Sequence, residues 1–178
     1  MKTFISILRG INVSGQKKIL MADLKALYES LNYKNVRTYV QSGNVVFETA
    51  DTDPKEIARQ IEQKIQDKYG FPVPVIIRTL EELETAVQRH IFFKQDGTDT
   101  DKLYVTFLAD QPAQANLDKM SAFQYAPDEY KIIDQEVYIF CPGGYGNTKL
   151  SNTFFENKLK VTATTRNWKT VNELIKMA

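Results

Sequence analysis

The order of the apolar segments in the first half of the chain constrains the fold more than any other feature. Short β-branched segments indicate strands, and apolar residues at helical spacing, such as Leu24, Leu27 and Leu31, indicate helices. Ser42-Gly43-Asn44 separates two strands and predicts a hairpin turn. The expected elements are strand, helix, strand, strand, helix and strand, at 3–8, 21–31, 36–40, 45–47, 53–70 and 73–77. This order is typical of a ferredoxin-like subdomain.

Capping signals predict where the helices begin and end. Asp53 is the expected N-cap of the second helix, with a proline after it and Glu56 completing a capping box. Gly70 is expected to end this helix in a left-handed conformation. A linking helix then follows the fourth strand, with Thr79 as its N-cap and Glu82 as the capping-box partner.

The second half of the chain shows a similar order. The pattern predicts a strand at 103–108, a helix from Pro112, a strand pair around Asp134-Gln135, a helix with Phe154 and Phe155, and a last helix with Trp168. The polar stretch 95–101 is the best boundary. We therefore predict an α+β fold of two tandem, closely packed ferredoxin-like (βαββαβ-type) subdomains, for which an internal duplication is one interpretation. The first would span 1–92, including the linking helix, and the second 102–178.

Composition narrows the class of protein. No apolar run is long enough for a membrane helix and no signal peptide precedes the first strand, so the expected location is the cytoplasm, without a membrane partner. The lone cysteine, Cys141, excludes an internal disulfide and a cysteine-based zinc site. His90, the only histidine, is expected to be structural or exposed. We expect no metal and no cofactor, because no second histidine or carboxylate pair lies near the candidate loops.

The charge is unevenly distributed along the chain. Residues 1–49 carry seven Lys/Arg against three Asp/Glu, 50–141 carry ten against seventeen, and 142–178 carry six against two. The two terminal segments are therefore basic and the middle is acidic. If folding brought both ends together, they would form a positive surface that attracts an anionic partner, although chance clustering of solvated lysines explains the pattern equally well.

Each basic segment contains a polar glycine loop. The first, from Arg9 to Lys18, has the glycine spacing of a nucleotide-binding P-loop, but its lysine is one place late and no magnesium-binding hydroxyl follows. The second, 142–152, begins like a dinucleotide fingerprint, yet Lys149 replaces the third glycine. Both nucleotide motifs are rejected. Loop amides beside lysine and arginine side chains could still hold a phosphate or carboxylate, whereas Ser151 or Asn152 could simply cap a helix.

Four segments of the chain resemble one known family. They are Leu8-Arg9-Gly10-Ile11-Asn12-Val13, Thr38 to Phe47, Thr148-Lys149-Leu150-Ser151-Asn152, and Ala163-Thr164-Thr165-Arg166-Asn167-Trp168. They are similar to the bacterial domain of unknown function 1697 family. The resemblance implies a cytoplasmic bacterial α+β protein without an established activity. It supplies no catalytic residues, and its motif positions coincide with the glycine, hydroxyl and basic residues of the two loops.

Three functions are consistent with these observations. The first is a module that binds nucleic acid or a phosphorylated metabolite through both loops, the second an interaction protein whose motifs hold two subdomains together, and the third an enzyme acting on a small anionic substrate. Catalytic residues and the oligomeric state are not indicated. The candidate ligand-binding residues are Arg9, Asn12, Lys17, Ser42, Asn44, Tyr145, Lys149, Ser151, Arg166 and Asn167.

Overall fold

The computed structural model describes residues 1–178 as an α+β fold with eight strands and six α-helices. The strands are β1 (Lys2–Leu8), β2 (Lys34–Tyr39), β3 (Asn44–Thr49), β4 (Val75–Thr79), β5 (Leu103–Leu108), β6 (Glu129–Ile133), β7 (Glu136–Phe140) and β8 (Ala163–Asn167). The helices are α1 (Met21–Ser30), α2 (Pro54–Tyr69), α3 (Leu80–Gln88), α4 (Gln114–Asp118), α5 (Asn152–Leu159) and α6 (Trp168–Met177).

The strands form two four-stranded antiparallel sheets. The first sheet has the order β2-β3-β1-β4 and the second has the order β6-β7-β5-β8. Each strand of the second sheet therefore occupies the place of the strand four numbers earlier in the first. The α+β class predicted from the sequence is confirmed.

The chain divides into two compact units. The first unit comprises Met1–Glu84 together with Glu173–Ala178, and the second comprises Thr85–Asn172. The predicted division into subdomains 1–92 and 102–178 stays a prediction.

The core of the first unit follows from the apolar periodicity. Ile57, Ile61 and Ile65 lie four residues apart on α2 and are fully buried, as a helix with one apolar stripe requires. They belong to one cluster with Phe4 and Leu8, which alternate along β1. In the second unit, α5 and strands β5 to β8 contribute to a matching cluster.

Most predicted helix ends are confirmed. The Asp53 carboxylate accepts a hydrogen bond from the Lys55 backbone N–H (2.9 Å), and Gly70 ends α2 with a φ of 77°. Thr79 and Glu82 form a complete capping box, with N–H to side-chain oxygen distances of 2.8 and 3.2 Å. The capping box predicted for Glu56 is wrong, because its carboxylate instead accepts hydrogen bonds from the side chains of Arg59 and Gln60, one turn further along the helix.

The structure corrects one predicted element of the second half and adds another. The helix predicted from Pro112 is short, since α4 ends at Asp118 and a separate 3-10 turn covers Met120–Ala122. The sequence pattern assigned no element to residues 163–167, and the structure shows that they form strand β8. Its residues pair antiparallel with β5, with Val105 opposite Arg166, so pairing with a central strand orders a segment that has little apolar character.

Candidate functional site

The first glycine loop is a small hairpin that leaves β1. The Asn12 backbone N–H donates to the Lys17 carbonyl (3.1 Å), and the Gln16 N–H donates to the Val13 carbonyl (2.9 Å). The two residues at the turn, Ser14 and Gly15, have φ values of 51° and 73°. Positive φ at both central positions is typical of a type I′ turn, which glycine permits at the second of them.

Asn12 holds this hairpin to the rest of the first unit. Its Nδ2 donates to the carbonyls of Ile19 (2.9 Å) and Gln41 (2.8 Å), and its Oδ1 accepts from the Ile19 N–H (2.9 Å). One amide side chain thus joins both ends of the loop to the β2–β3 turn. Three of its four hydrogen-bonding capacities are used inside the protein, so Asn12 shapes the loop and has little left for a ligand.

The β2–β3 turn packs directly against the first loop. A Cβ added to Gly43 would lie 2.6 Å from Ile11 Cδ1 and 3.0 Å from Leu8 Cβ, and Gly43 has a φ of 90°. Asn44 is fully buried and donates through Nδ2 to the Tyr39 carbonyl (2.9 Å) and the Ser42 hydroxyl (3.1 Å). The structure therefore brings Asn12, Ser42 and Asn44 into one region, as parts of the loop framework.

The basic residues of the first loop have different environments. The Lys17 ammonium donates to the Pro72 carbonyl (2.8 Å), so it ties the loop to the segment before β4. The Arg9 side chain is half-buried, and its backbone N–H donates to the Pro74 carbonyl (2.9 Å). Lys18 is exposed and its Cε lies 4.0 Å from the position of a Cβ on Gly15.

A pocket of about 240 Å³ opens beside this hairpin. It is lined by Asn12, Gly15, Lys18, Ile19, Leu20 and Gln41. Its walls combine one ammonium, two side-chain amides and two aliphatic side chains. Lys18 and Gln41 are absent from the set of site residues predicted from the sequence. Only the folded course of the loop shows that Lys18, and not Lys17, faces this pocket.

In the second unit, Tyr145 belongs to a network of side-chain hydroxyls. The Tyr145 hydroxyl donates to Thr165 Oγ1 (3.1 Å), and Thr165 donates to Asn152 Oδ1 (2.6 Å). The Thr106 hydroxyl lies 2.6 Å from Thr165 Oγ1. Since the single proton of Thr165 goes to Asn152, Thr106 must donate to Thr165. The network fixes the second glycine loop onto β5 and β8.

The other predicted residues of the second unit serve mainly in capping and packing. Ser151 is the N-cap of α5 and accepts from the Phe154 N–H (3.2 Å). Asn167 accepts from the Thr170 N–H (2.8 Å) in the first turn of α6. The exposed Lys149 places its ammonium 5.4 Å from the centre of the Tyr125 ring. The capping alternative considered for Ser151 is thus the one that the geometry supports.

Arg166 is a buried cation. Its side chain is 8% exposed, and one guanidinium nitrogen donates to Thr164 Oγ1 (3.0 Å) and the Thr165 carbonyl (2.9 Å). Burial lowers the pKa of Arg166 to about 10, because the protein solvates the charge less well than water does. A pKa of about 10 still leaves the group charged at neutral pH.

His90 lies among aromatic rings in the second unit. It is fully buried, its Nε2 lies 3.1 Å from the Tyr104 carbonyl, and its ring centre is 5.1 Å from those of Tyr138 and Trp168. His90 Nδ1 and the Tyr138 hydroxyl are both buried without a hydrogen-bond partner. Burial lowers the pKa of His90 to about 4, so the ring is neutral at pH 7.

The predicted site residues therefore fall into two groups, one in each unit. Arg9, Asn12, Lys17, Ser42 and Asn44 surround the first loop, and the others surround the second loop, β8 and the start of α6. A single ligand shared by both loops stays a prediction.

No group of three or more His, Cys, Asp or Glu side chains has an arrangement suited to a metal ion. None of the helices has the length and apolar character needed to span a bilayer.

Comparison with known proteins finds one matching family model and a solved structure with a similar fold. The family model described as protein of unknown function (DUF1697) matches residues 1–138. A conserved bacterial protein, SP0830 from Streptococcus pneumoniae, has a solved structure that aligns with a TM-score of 0.74 at 20% sequence identity. This alignment covers 99% of the present chain and 98% of the other, and at this identity it shows a shared fold. No curated protein matches the chain significantly.

Proposed function

Because the chain belongs to the DUF1697 family, whose function is unknown, we propose from its site geometry that it binds a small anionic ligand, most simply a phosphorylated metabolite. The pocket beside the first loop is the observation that carries this proposal. It combines the Lys18 ammonium with the side-chain amide of Gln41, in a terminal segment with excess positive charge. Asn12 also lines the pocket, but its amide holds the loop in place and donates to the carbonyls of Ile19 and Gln41. An ammonium and directed amide donors are the groups that recognise phosphate or carboxylate oxygens.

The size of the pocket favours a small ligand over a polymer. Its volume of about 240 Å³ is below the range of roughly 300–1,000 Å³ that holds drug-sized molecules. A phosphate monoester with a short organic part would place its charged end at Lys18 and its apolar part against Ile19 and Leu20. Single-stranded nucleic acid would instead need an extended basic groove with stacking rings.

Calorimetric titration tests the proposal. We would titrate inorganic phosphate, a panel of sugar phosphates and nucleotides, and mixed single-stranded nucleic acid at several salt concentrations. Lys18→Ala should weaken binding of the phosphorylated ligand about 10-fold, as expected for the loss of one charge-assisted contact. Lys64→Ala removes an equal charge from an exposed position on α2 and should leave the affinity unchanged. Equal effects of the two variants would indicate general electrostatic attraction, and binding of nucleic acid alone would contradict the small-ligand assignment.

A second candidate is an interaction protein in which the motif residues maintain the fold. Most of the motif residues form hydrogen bonds within their own loops or helices, as Asn12, Asn44, Ser151 and Asn167 do. Arg166 is buried. These observations favour structural roles for most of the motif residues. This candidate gains support if no tested anion binds and the alanine variants of these residues lose stability.

We also propose that the two units are ferredoxin-like and arose by duplication of one unit, in a bacterial, cytoplasmic protein. The matching strand orders and the matching N-caps of α2 and α5 support this origin. An enzymatic role on a small anionic substrate would use the same pocket, and turnover of a bound phosphorylated ligand would establish it. Expression of the separate fragments 1–92 and 102–178 would test whether each folds alone.

A further inference from the structure

The two sheets differ at one of their matching edges. Edge strand β2 carries an irregularity between Lys34 and Arg37, and Asn35 within it has a φ of 49°. Edge strand β6 pairs with β7 through all five residues without a shift in register. A bulge protects an edge from further pairing, so β2 has this protection and β6 does not.

The β6–β7 turn determines which backbone groups of β6 point outward. Only Asp134 and Gln135 separate the paired residues Ile133 and Glu136. The closing pair of a two-residue hairpin exchanges backbone hydrogen bonds, and bonded and non-bonded pairs then alternate along the strands. The N–H and C=O groups of Tyr130 and Ile132 therefore point away from β7. No further backbone hydrogen bond joins residues 129–133 to the rest of the chain.

A cavity of about 340 Å³ lies beside this edge. Leu117, Met120 and Ile132 contribute apolar surface, and Gln114 and Gln124 are among its polar lining residues. Tyr130 and Ile132 pack with the core cluster of the second unit, so they lie on the face of the sheet that the cluster covers. Glu129 and Lys131 are exposed and belong to the opposite face, because side chains alternate along a strand.

We propose that β6 is a docking strand for an extended peptide segment of a partner protein, which pairs antiparallel with its outer edge. The partner segment supplies the backbone donors and acceptors that Tyr130 and Ile132 lack. Its residues opposite Tyr130 and Ile132 are apolar, because they project over the face that carries the cavity. Its residue opposite Lys131 is acidic and the one opposite Glu129 is basic. The recognised pattern is apolar, acidic, apolar, basic, read along the peptide.

The charges on β6 favour such a peptide over a second copy of this chain. Pairing all five residues of β6 with β6 of another copy would place Lys131 opposite the same lysine. Like charges directly opposite each other destabilise a strand pair. A peptide with a carboxylate at that position replaces this repulsion by attraction.

The test uses two synthetic peptides of equal composition. Fluorescein-labelled Ser-Leu-Glu-Val-Lys-Ser carries the expected pattern, and Ser-Leu-Lys-Val-Glu-Ser carries the reversed charges. The full-length protein should bind the first peptide at least about 5-fold more tightly by fluorescence anisotropy, since two cross-strand pairs change sign. Peptide addition should shift the amide resonances of Tyr130 and Ile132 in two-dimensional NMR spectra.

A charge-swapped protein is the decisive control. The double variant Glu129→Lys with Lys131→Glu keeps the composition and should reverse the peptide preference, while its thermal unfolding stays unchanged. Equal binding of both peptides, shifts confined to residues outside β6, or the same preference in both proteins would overturn the proposal. Sedimentation that shows self-association through β6 would also overturn it, in favour of a second copy of the chain.

Discussion

The two units bury a hydroxyl at the same place on their central strands but satisfy it differently. Ser6 on β1 and Thr106 on β5 are fully buried, and they face Ile77 and Thr165 on the matching edge strands. The Ser6 hydroxyl pairs with the Tyr28 hydroxyl of α1 at 2.7 Å. Thr106 instead joins the Thr165 network, which extends to the second glycine loop. The two units thus bury a hydroxyl at the same position of the shared strand order. Its hydrogen-bond partner differs, because it comes from helix α1 in the first unit and from strand β8 in the second.

The units also differ in how they form the turn beside the first strand. The Leu8 N–H donates to the Gly43 carbonyl, and the Leu108 N–H donates to the Gln135 carbonyl, both at 2.9 Å. The hydrogen bond is the same, but only the first unit requires a glycine there. The first loop passes so close to the turn that a side chain at Gly43 would collide with Ile11. The constraint comes from this close approach and from the φ of 90° at Gly43, whereas Gln135, at the matching position, has no positive φ.

Gly43→Ala should have the largest effect on stability. The new Cβ meets Ile11 Cδ1 at 2.6 Å and the backbone has a φ of 90°. Steric strain and overpacking together should lower the free energy of unfolding by about 3 kcal/mol, measured by urea denaturation. The control Gly146→Ala has open space around the added methyl group and should change it by less than about 0.5 kcal/mol. Comparable losses in both variants would show that the close approach at Gly43 is not the cause.

The buried histidine has no counterpart in the first unit and should make stability depend on acid. Its folded pKa of about 4 lies below the ordinary value of 6.5, so the unfolded chain binds the proton more readily. The stability is fully present above pH 6.5 and is lost as the pH falls towards 4. Between pH 7.5 and 5, His90 should contribute a loss of about 2 kcal/mol in unfolding free energy.

Comparison with variants isolates this contribution from those of the carboxylates. His90→Leu should remove the extra pH dependence, whereas Tyr138→Phe, which removes a hydroxyl without a partner, should retain it. Fluorescence of Trp168, the only tryptophan, reports unfolding next to the histidine ring. NMR titration of the single histidine measures its pKa directly, and a value near 6.5 would contradict its burial as a neutral ring.

The two hydroxyl arrangements should respond unequally to loss of a partner. Thr165→Val keeps the side-chain shape but leaves Tyr145, Asn152 and Thr106 without their common partner, and should cost about 1.5 kcal/mol or more. Tyr28→Phe leaves only Ser6 to find another acceptor, and Val45 offers its carbonyl at 3.5 Å. Its cost should be about 1 kcal/mol. Urea denaturation of both variants checks this order, and a larger loss for Tyr28→Phe would refute the network interpretation.

The sequence predicts the parts of this fold that depend on neighbouring residues. Apolar periodicity predicts strands β1 and β5 and the apolar stripe of α2. Local hydrogen bonds account for the N-caps at Asp53 and Thr79. Strand β8 was missed because its order depends on pairing with β5, more than fifty residues earlier in the chain. Its polar composition gives no local signal of a buried strand.

The candidate site shows the same limit. Polar residues around glycine were correctly located in loops, but their roles depend on distant partners. Lys17 donates to Pro72, which is 55 residues away, while its neighbour Lys18 faces the pocket. A sequence pattern cannot separate two adjacent lysines, because the local backbone conformation, with a φ of 45° at Lys17, decides where each side chain points.

The helix N-caps provide the smallest predicted effect and the closest comparison between the units. Helices α2 and α5 occupy matching places in the element order, and their caps are Asp53 and Ser151. Asp53→Ala and Ser151→Ala should each lower the free energy of unfolding by about 1 kcal/mol, because each leaves one backbone N–H without its acceptor. Asp53→Asn and Ser151→Thr retain an acceptor and should recover most of that loss. Urea denaturation of the four variants checks this, and a loss well above 1 kcal/mol for Ser151→Ala alone would show that Ser151 has a further role in the second loop.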